Sequence, residues 1–115
     1  IGVYHMIVKE LLEDKDFELL AGEEAVGNQI DNVYIGDLLS WVMGNAKENS
    51  AWITIQGHIN IIAVSLLVNS SCIIVAENAE VSDDTINKAN EENIPLFRTK
   101  LTHYETAKKL FGRLK

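Results

Sequence analysis

Cysteine is nearly missing. Cys72 stands alone, so the chain can close no disulfide within itself and holds no cysteine-rich metal site. That usage suits a reducing compartment, and the expected localisation is cytoplasmic. The run Cys72-Ile-Ile-Val75 makes the thiol a small buried hydrophobe rather than a reactive group. Proline occurs once, at Pro95, and no stretch is rich in Gly, Ser or Pro, so nothing marks a linker. No apolar run approaches the roughly 20 residues of a membrane span, and no secretory signal is visible. Basic residues are outnumbered too: 17 acids against 10 bases give a net charge of -7, which argues against nucleic acid as a partner.

What remains is the composition of an ordinary globular domain, 115 residues long and 47% hydrophobic. Ile1-Gly-Val-Tyr-His5 precedes Met6 and reads as a cloning remnant, so a single domain is expected over residues 6–115. The charge is uneven. Six bases and one acid, Glu105, lie from Arg98 onward, against four bases and sixteen acids before it. That suits either a solvated basic face on the last helix or a docking surface for an acidic partner, a second copy included.

Periodicity predicts alternating helices and strands. A first helix is expected over Met6–Glu13, with Ile7, Leu11 and Leu12 near one face. Phe17–Ala21 reads as a strand, and 23–31 as loop. Val33–Ile35 reads as a short strand, followed by Gly36 and by Asp37 as N-cap of a helix over Leu38–Ala46. That helix is apolar nearly all round, so it should be buried or paired with another surface. Ala51–Gln56, Cys72–Ala76 and Leu96–Thr99 are the remaining strands, the middle one a continuous apolar run as in a covered parallel strand. Between them lie a helix over Ile59–Asn69 and one capped by Ser82, with Asp83 and Asp84 in its first turn and Ile86 and Ala89 facing inward. Thr102-His-Tyr-Glu105 is a capping box. The helix it opens should bury Tyr104, Ala107, Leu110, Phe111 and Leu114. The order implies a three-layer α/β/α sandwich on a mainly parallel five-stranded sheet.

In such sheets ligands bind at the carboxyl ends of the parallel strands. Four corners qualify: Gly36-Asp37, Gln56-Gly57-His58-Ile59-Asn60, Glu77-Asn78 and Thr99-Lys100. The second is richest, because a glycine admits close approach, a helix N-terminus favours anions, and Gln56, His58 and Asn60 offer polar side chains. Any strand-to-helix turn also needs a glycine or a cap, and the string matches no phosphate loop. The candidate ligand residues are therefore Asp37, Gln56, Gly57, His58, Asn60, Glu77, Asn78 and Thr99. No nucleophile, acid–base pair or metal-ligand spacing surrounds His58 or His103, and His103 reads as a surface residue of a first helical turn. Trp41 and Trp52 read as core or interface residues. No catalytic residue, metal or cofactor is expected.

Several strings, in order and at matching spacing, resemble the DRTGG domain, a small module similar to the N-terminal domain of HPr kinase/phosphorylase. They are Leu19-Leu-Ala-Gly-Glu23, Val33-Tyr-Ile-Gly-Asp-Leu-Leu39, Ala51-Trp-Ile-Thr-Ile-Gln56, Ile94-Pro-Leu96 and Thr99-Lys-Leu-Thr102, and the resemblance covers nearly all of residues 6–112. The family pattern has Asp-Arg after the third strand and Thr-Gly-Gly after the fourth. Here those places read Gly57-His58-Ile59 and Ala76-Glu77-Asn78. The resemblance implies a regulatory module rather than a catalyst. Similar domains are accessory parts of phosphotransacetylases and of pyrophosphatases with CBS domains, associated with dimer contacts and nucleotide sensing. The apolar helix surfaces Leu38–Met43 and Ile59–Val68 leave a face for a partner, so the first expectation is a self-associating regulatory or scaffolding domain, with a homodimer as its first partner and a protein partner as another. The alternative is a sensor for an anionic ligand, such as an adenine nucleotide or a phosphorylated metabolite.

Overall fold

A computed structural model describes residues 6–114. The expectations for residues 1–5 and for the Leu114 side chain lie outside the described residues. In chain order the elements are strand β1 (Met6–Ile7), a 3-10 helix (Val8–Glu13), β2 (Phe17–Ala21), a 3-10 turn (Glu23–Ala25), β3 (Gln29–Ile30) and β4 (Asn32–Ile35). Then follow helix α1 (Leu39–Asn45), β5 (Ser50–Thr54), α2 (Asn60–Val68), β6 (Cys72–Val75), α3 (Asp83–Glu91), β7 (Leu96–Thr99) and α4 (His103–Leu114).

The main sheet has the order β2-β7-β6-β5-β4. The last four strands are mutually parallel, and β2 runs antiparallel against β7. From β4 to β7 each crossover steps one place in the same direction, which puts α1, α2 and α3 on one face. The opposite face carries α4, the first 3-10 helix and the antiparallel pair β1–β3. Two cores result, one per face, and the strands feed them alternately. Ala51, Ile53, Cys72, Ile74 and Phe97 enter the α4 side. Trp52, Ile73, Val75 and Leu96 enter the α1–α3 side. The expected three-layer architecture is therefore the one observed.

Two local expectations, for the first segment and for α4, are corrected, and that of a buried α1 is narrowed to its one inward residue. The first segment is a short strand followed by a 3-10 helix. Ile7 is extended (φ -112°, ψ 142°) and Met6 pairs with Ile30, so part of the expected loop over 23–31 is strand β3. Met6, Val8 and Leu11 are buried while Ile7 and Leu12 are exposed. This is strand alternation followed by the three-residue spacing of a 3-10 turn. Helix α1 buries only Val42, and Trp41 stays 64% exposed. In α4 the inward stripe is His103, Thr106, Ala107 and Leu110, while Tyr104 (71%) and Phe111 (63%) face outward. The capping boundaries, in contrast, are as expected. The Glu105 N–H donates to Thr102 Oγ1 (3.1 Å), the Thr102 N–H to Glu105 Oε1 (2.9 Å), and the Thr85 N–H to Ser82 Oγ (3.3 Å).

Candidate functional site

The carboxyl ends of β4 to β7 meet beneath the first turn of α4. Asp37, just past β4, does not cap α1. The residue before that helix is Leu38, which has no side-chain cap. Asp37 Oδ1 instead accepts from the Ile55 N–H (2.7 Å), the Thr54 hydroxyl (3.0 Å) and His103 Nε2 (3.1 Å). Its carbonyl oxygen takes Gln56 Nε2 at 2.8 Å. One residue thus joins β4, the end of β5 and α4. Desolvation raises the Asp37 carboxyl pKa. The Ile55 N–H, His103 and the Thr54 hydroxyl outweigh it and hold the carboxyl below the ordinary carboxylate range.

On its other side, His103 Nδ1 lies 3.9 Å from Glu77 Oε2, too far for a hydrogen bond but close enough for charge to be felt. An imidazole between two carboxylates has the residue types of acid–base chemistry. Yet the one hydroxyl bound to this cluster, Thr54, donates to Asp37 and is not aimed at His103. Burial pushes the Cys72 thiol up to about 12, so it is no nucleophile. Among the described residues no group of three or more His, Cys, Asp or Glu side chains is placed to hold a metal ion.

The Gln56-Gly57-His58 corner is occupied by the chain itself. A Cβ on Gly57 would stand 1.8 Å from the Glu80 carbonyl oxygen, so the close approach that glycine permits is made by the segment entering α3. The Gly57 carbonyl accepts from the Ser82 N–H (3.2 Å) and the Thr85 hydroxyl (2.8 Å). His58 and Asn60 are exposed at the start of α2, where His58 Nδ1 accepts from the Asn60 N–H at 3.4 Å.

After β6, Glu77 (φ 63°) and Asn78 (φ 55°) are both left-handed. Left-handed backbone of this kind costs about 1 kcal/mol for each side chain that adopts it. The Glu77 N–H donates to the Leu101 carbonyl and the Asn78 N–H to the Thr99 carbonyl, each at 2.8 Å. Thr99 is buried, its hydroxyl taken by the Leu101 N–H (3.2 Å).

Of the eight residues predicted from sequence, the fold brings Asp37 and Glu77 to either side of His103 and ties Gln56 to the Asp37 carbonyl. Asn78 and Thr99 line a separate cleft of about 300 Å³ with Lys15, Arg98 and Lys100. Gly57, His58 and Asn60 belong to neither group. Sequence reasoning missed His103, although its spacing from Thr106, Ala107 and Leu110 marks the inward stripe. A second cavity, about 780 Å³, runs along the outer edge of β4, lined by Val33, Ile35, Tyr104, Ala107 and Phe111 among others.

A DRTGG domain family model matches residues 10–112. No curated protein matches the chain. Among solved structures, one similar fold is the crystal structure of the CBS and DRTGG domains of the regulatory region of Clostridium perfringens pyrophosphatase, complexed with its activator, diadenosine tetraphosphate. It superposes with a TM-score of 0.71 at 19% identity, over 93% of this chain and 46% of that one. The present chain thus spans about half the length of that solved chain, and at this identity the likeness concerns the fold.

Proposed function

The chain belongs to the DRTGG domain family, and we propose from that premise that it is a non-catalytic regulatory module that acts in the cytoplasm and self-associates. The observation that carries this reading is the outer edge of the sheet at β4. No charged side chain interrupts Asn32–Ile35. Ile35 is 45% exposed beside the 780 Å³ groove walled by Tyr104 and Phe111. Uncharged, uncovered edges pair with other strands unless something prevents it. A two-fold pairing of β4 with β4 of a second copy would close the edge and bury the groove on both sides. Amide hydrogen exchange tests it: protection of the β4 amides should rise with protein concentration while that of β6 stays constant. Protection of β4 that is independent of concentration would defeat the reading.

A second reading is a sensor for an anionic small molecule, an adenine nucleotide or phosphorylated metabolite. It is supported by the polar groups gathered at the carboxyl ends, with Asp37, Gln56, Gly57, His58, Asn60, Glu77, Asn78 and Thr99 as proposed contacts. It is also supported by the nucleotide activator bound in the pyrophosphatase region of like fold. Thermal unfolding tests it, since a ligand at 100 times its Kd adds about 2.7 kcal/mol of stability. That corresponds to a rise in Tm on the order of 10 °C. No shift with any nucleotide or phosphorylated metabolite would dismiss the sensor.

A further inference from the structure

We propose that the 300 Å³ cleft between the start of β2 and the ends of β6 and β7 is a phosphoryl-binding site, with Arg98, Lys15 and Lys100 as its cationic groups. The inference rests on the sensing reading and gives it a place.

Arg98 sits near the end of β7, and one guanidinium nitrogen, Nη2, donates to the Asn78 carbonyl at 3.1 Å. Its Nε is enclosed and finds no acceptor among the described residues. Buried polar groups are nearly always paired, and an orphaned N–H on a permanent cation is an expensive exception. Its natural partner would be Glu18, which faces Arg98 across the β2–β7 ladder. Yet no hydrogen bond or ion pair joins the two. The guanidinium beside the cleft is therefore incompletely paired, and an anion drawn to it would bring an acceptor to Nε once the side chain shifts to expose that nitrogen.

The charge of the cleft points the same way. Lys15, Arg98 and Lys100 line it against Asp16 and Glu18. The Asp16 carboxylate is already held by Lys109 in a close ion pair. Lys15 and Lys100 enter no ion pair among the described residues. The result is a local excess of positive charge on a chain whose net charge is -7. Such a site draws an anion with two or more oxygens, which a guanidinium meets in a fork and the two ammonium groups meet as point charges. A cleft of this size takes a phosphoryl group or a short polyphosphate, leaving any base or sugar outside. The left-handed turn at Glu77–Asn78 shapes the site, because it places the Asn78 carbonyl where it anchors Arg98.

The test is to follow the Arg98 Nε–H resonance in isotope-labelled protein during titration with inorganic phosphate, inorganic triphosphate and adenosine at constant ionic strength. The expected result is a saturable displacement of that resonance and of the Asn78 and Lys100 amides by both phosphates, and none by adenosine. Arg98→Lys should weaken binding at least roughly tenfold, and Glu18→Gln, which removes the competing carboxylate, should tighten it severalfold. Lys100→Gln, at an exposed position, should also weaken binding, and it decides the matter where Arg98→Lys disturbs the fold. Saturable shifts confined to Gln56, His58 and Asn60 would overturn this site and leave the sensing reading in place. No saturable shift anywhere up to about 10 mM of either phosphate would overturn both.

Discussion

At one edge of the sheet, β2 carries Glu18 outward, follows the charged pair Lys15-Asp16, and breaks register between Leu19 and Ala21. At the other edge, β4 is regular, uncharged and flanked by an apolar groove. Charges and irregular register are the usual means of keeping a sheet edge from pairing with another chain. One edge has them and the other does not. Both edges are nevertheless fastened to the same helix. Lys109 of α4 donates to Asp14, ahead of β2, at 2.9 Å, with Arg113 at 3.6 Å from the same oxygen. His103 of α4 reaches Asp37, beyond β4, at 3.1 Å. The helix therefore holds β4 in position while leaving its outer side open. We take an edge so fixed and so bare to be kept for pairing.

The sharpest way to break this contrast is a charge on the bare edge. Ile35→Lys should raise the Kd of self-association about 100-fold, or about 2.7 kcal/mol, while leaving the melting temperature of the monomer within a few degrees. Next come the two fastenings. Asp14 is little exposed and meets two cations, so Asp14→Asn should cost about 2 kcal/mol in urea denaturation at pH 7. Asp37 is more open to solvent, so Asp37→Asn should cost about 1 kcal/mol by the same measure. The pH dependence follows from the same pair. Desolvation raises the Asp14 carboxyl, but the Asp16 N–H, Lys109 and Arg113 outweigh it, and the net direction is downward, as for Asp37. A depressed folded pKa means stabilisation that is full above the ordinary value of 3.8 and lost as pH falls through the folded values. Wild-type stability should therefore decline below about pH 4, and the Asp14→Asn/Asp37→Asn double variant should decline less steeply over that range. The smallest effect on stability, within about 0.5 kcal/mol, is expected of Glu18→Val. It strips the guarded edge, so light scattering should then report assemblies beyond the dimer.

Much of this architecture was legible because its signals are local. The Thr102–Glu105 box and the Ser82 cap lie within four residues of their partners, and the apolar run Cys72–Val75 announces a strand covered on both faces. What could not be read depends on partners far along the chain. Asp37 looked like a helix cap because a carboxylate before an apolar helix usually is one. Here the donors on β5 and His103, 66 residues away, take the oxygen first. Gly57 marks a close approach, and the backbone it admits is that of Glu80, visible only once α3 has folded back. In the first segment Ile7, Leu11 and Leu12 fit a helical face, but the pairing of Met6 with Ile30 makes the chain begin as a strand. The Arg98 orphan emerges only from the β2–β7 register and from a Glu18 side chain that declines its neighbour.

Sedimentation equilibrium of the wild type and of Ile35→Lys, from low to high micromolar concentration, reads pairing through β4 without intermediary. The wild type should show a monomer–dimer equilibrium and the variant a monomer throughout. A wild type that stays monomeric at the highest concentration, or a variant that dimerises as the wild type does, would contradict that pairing.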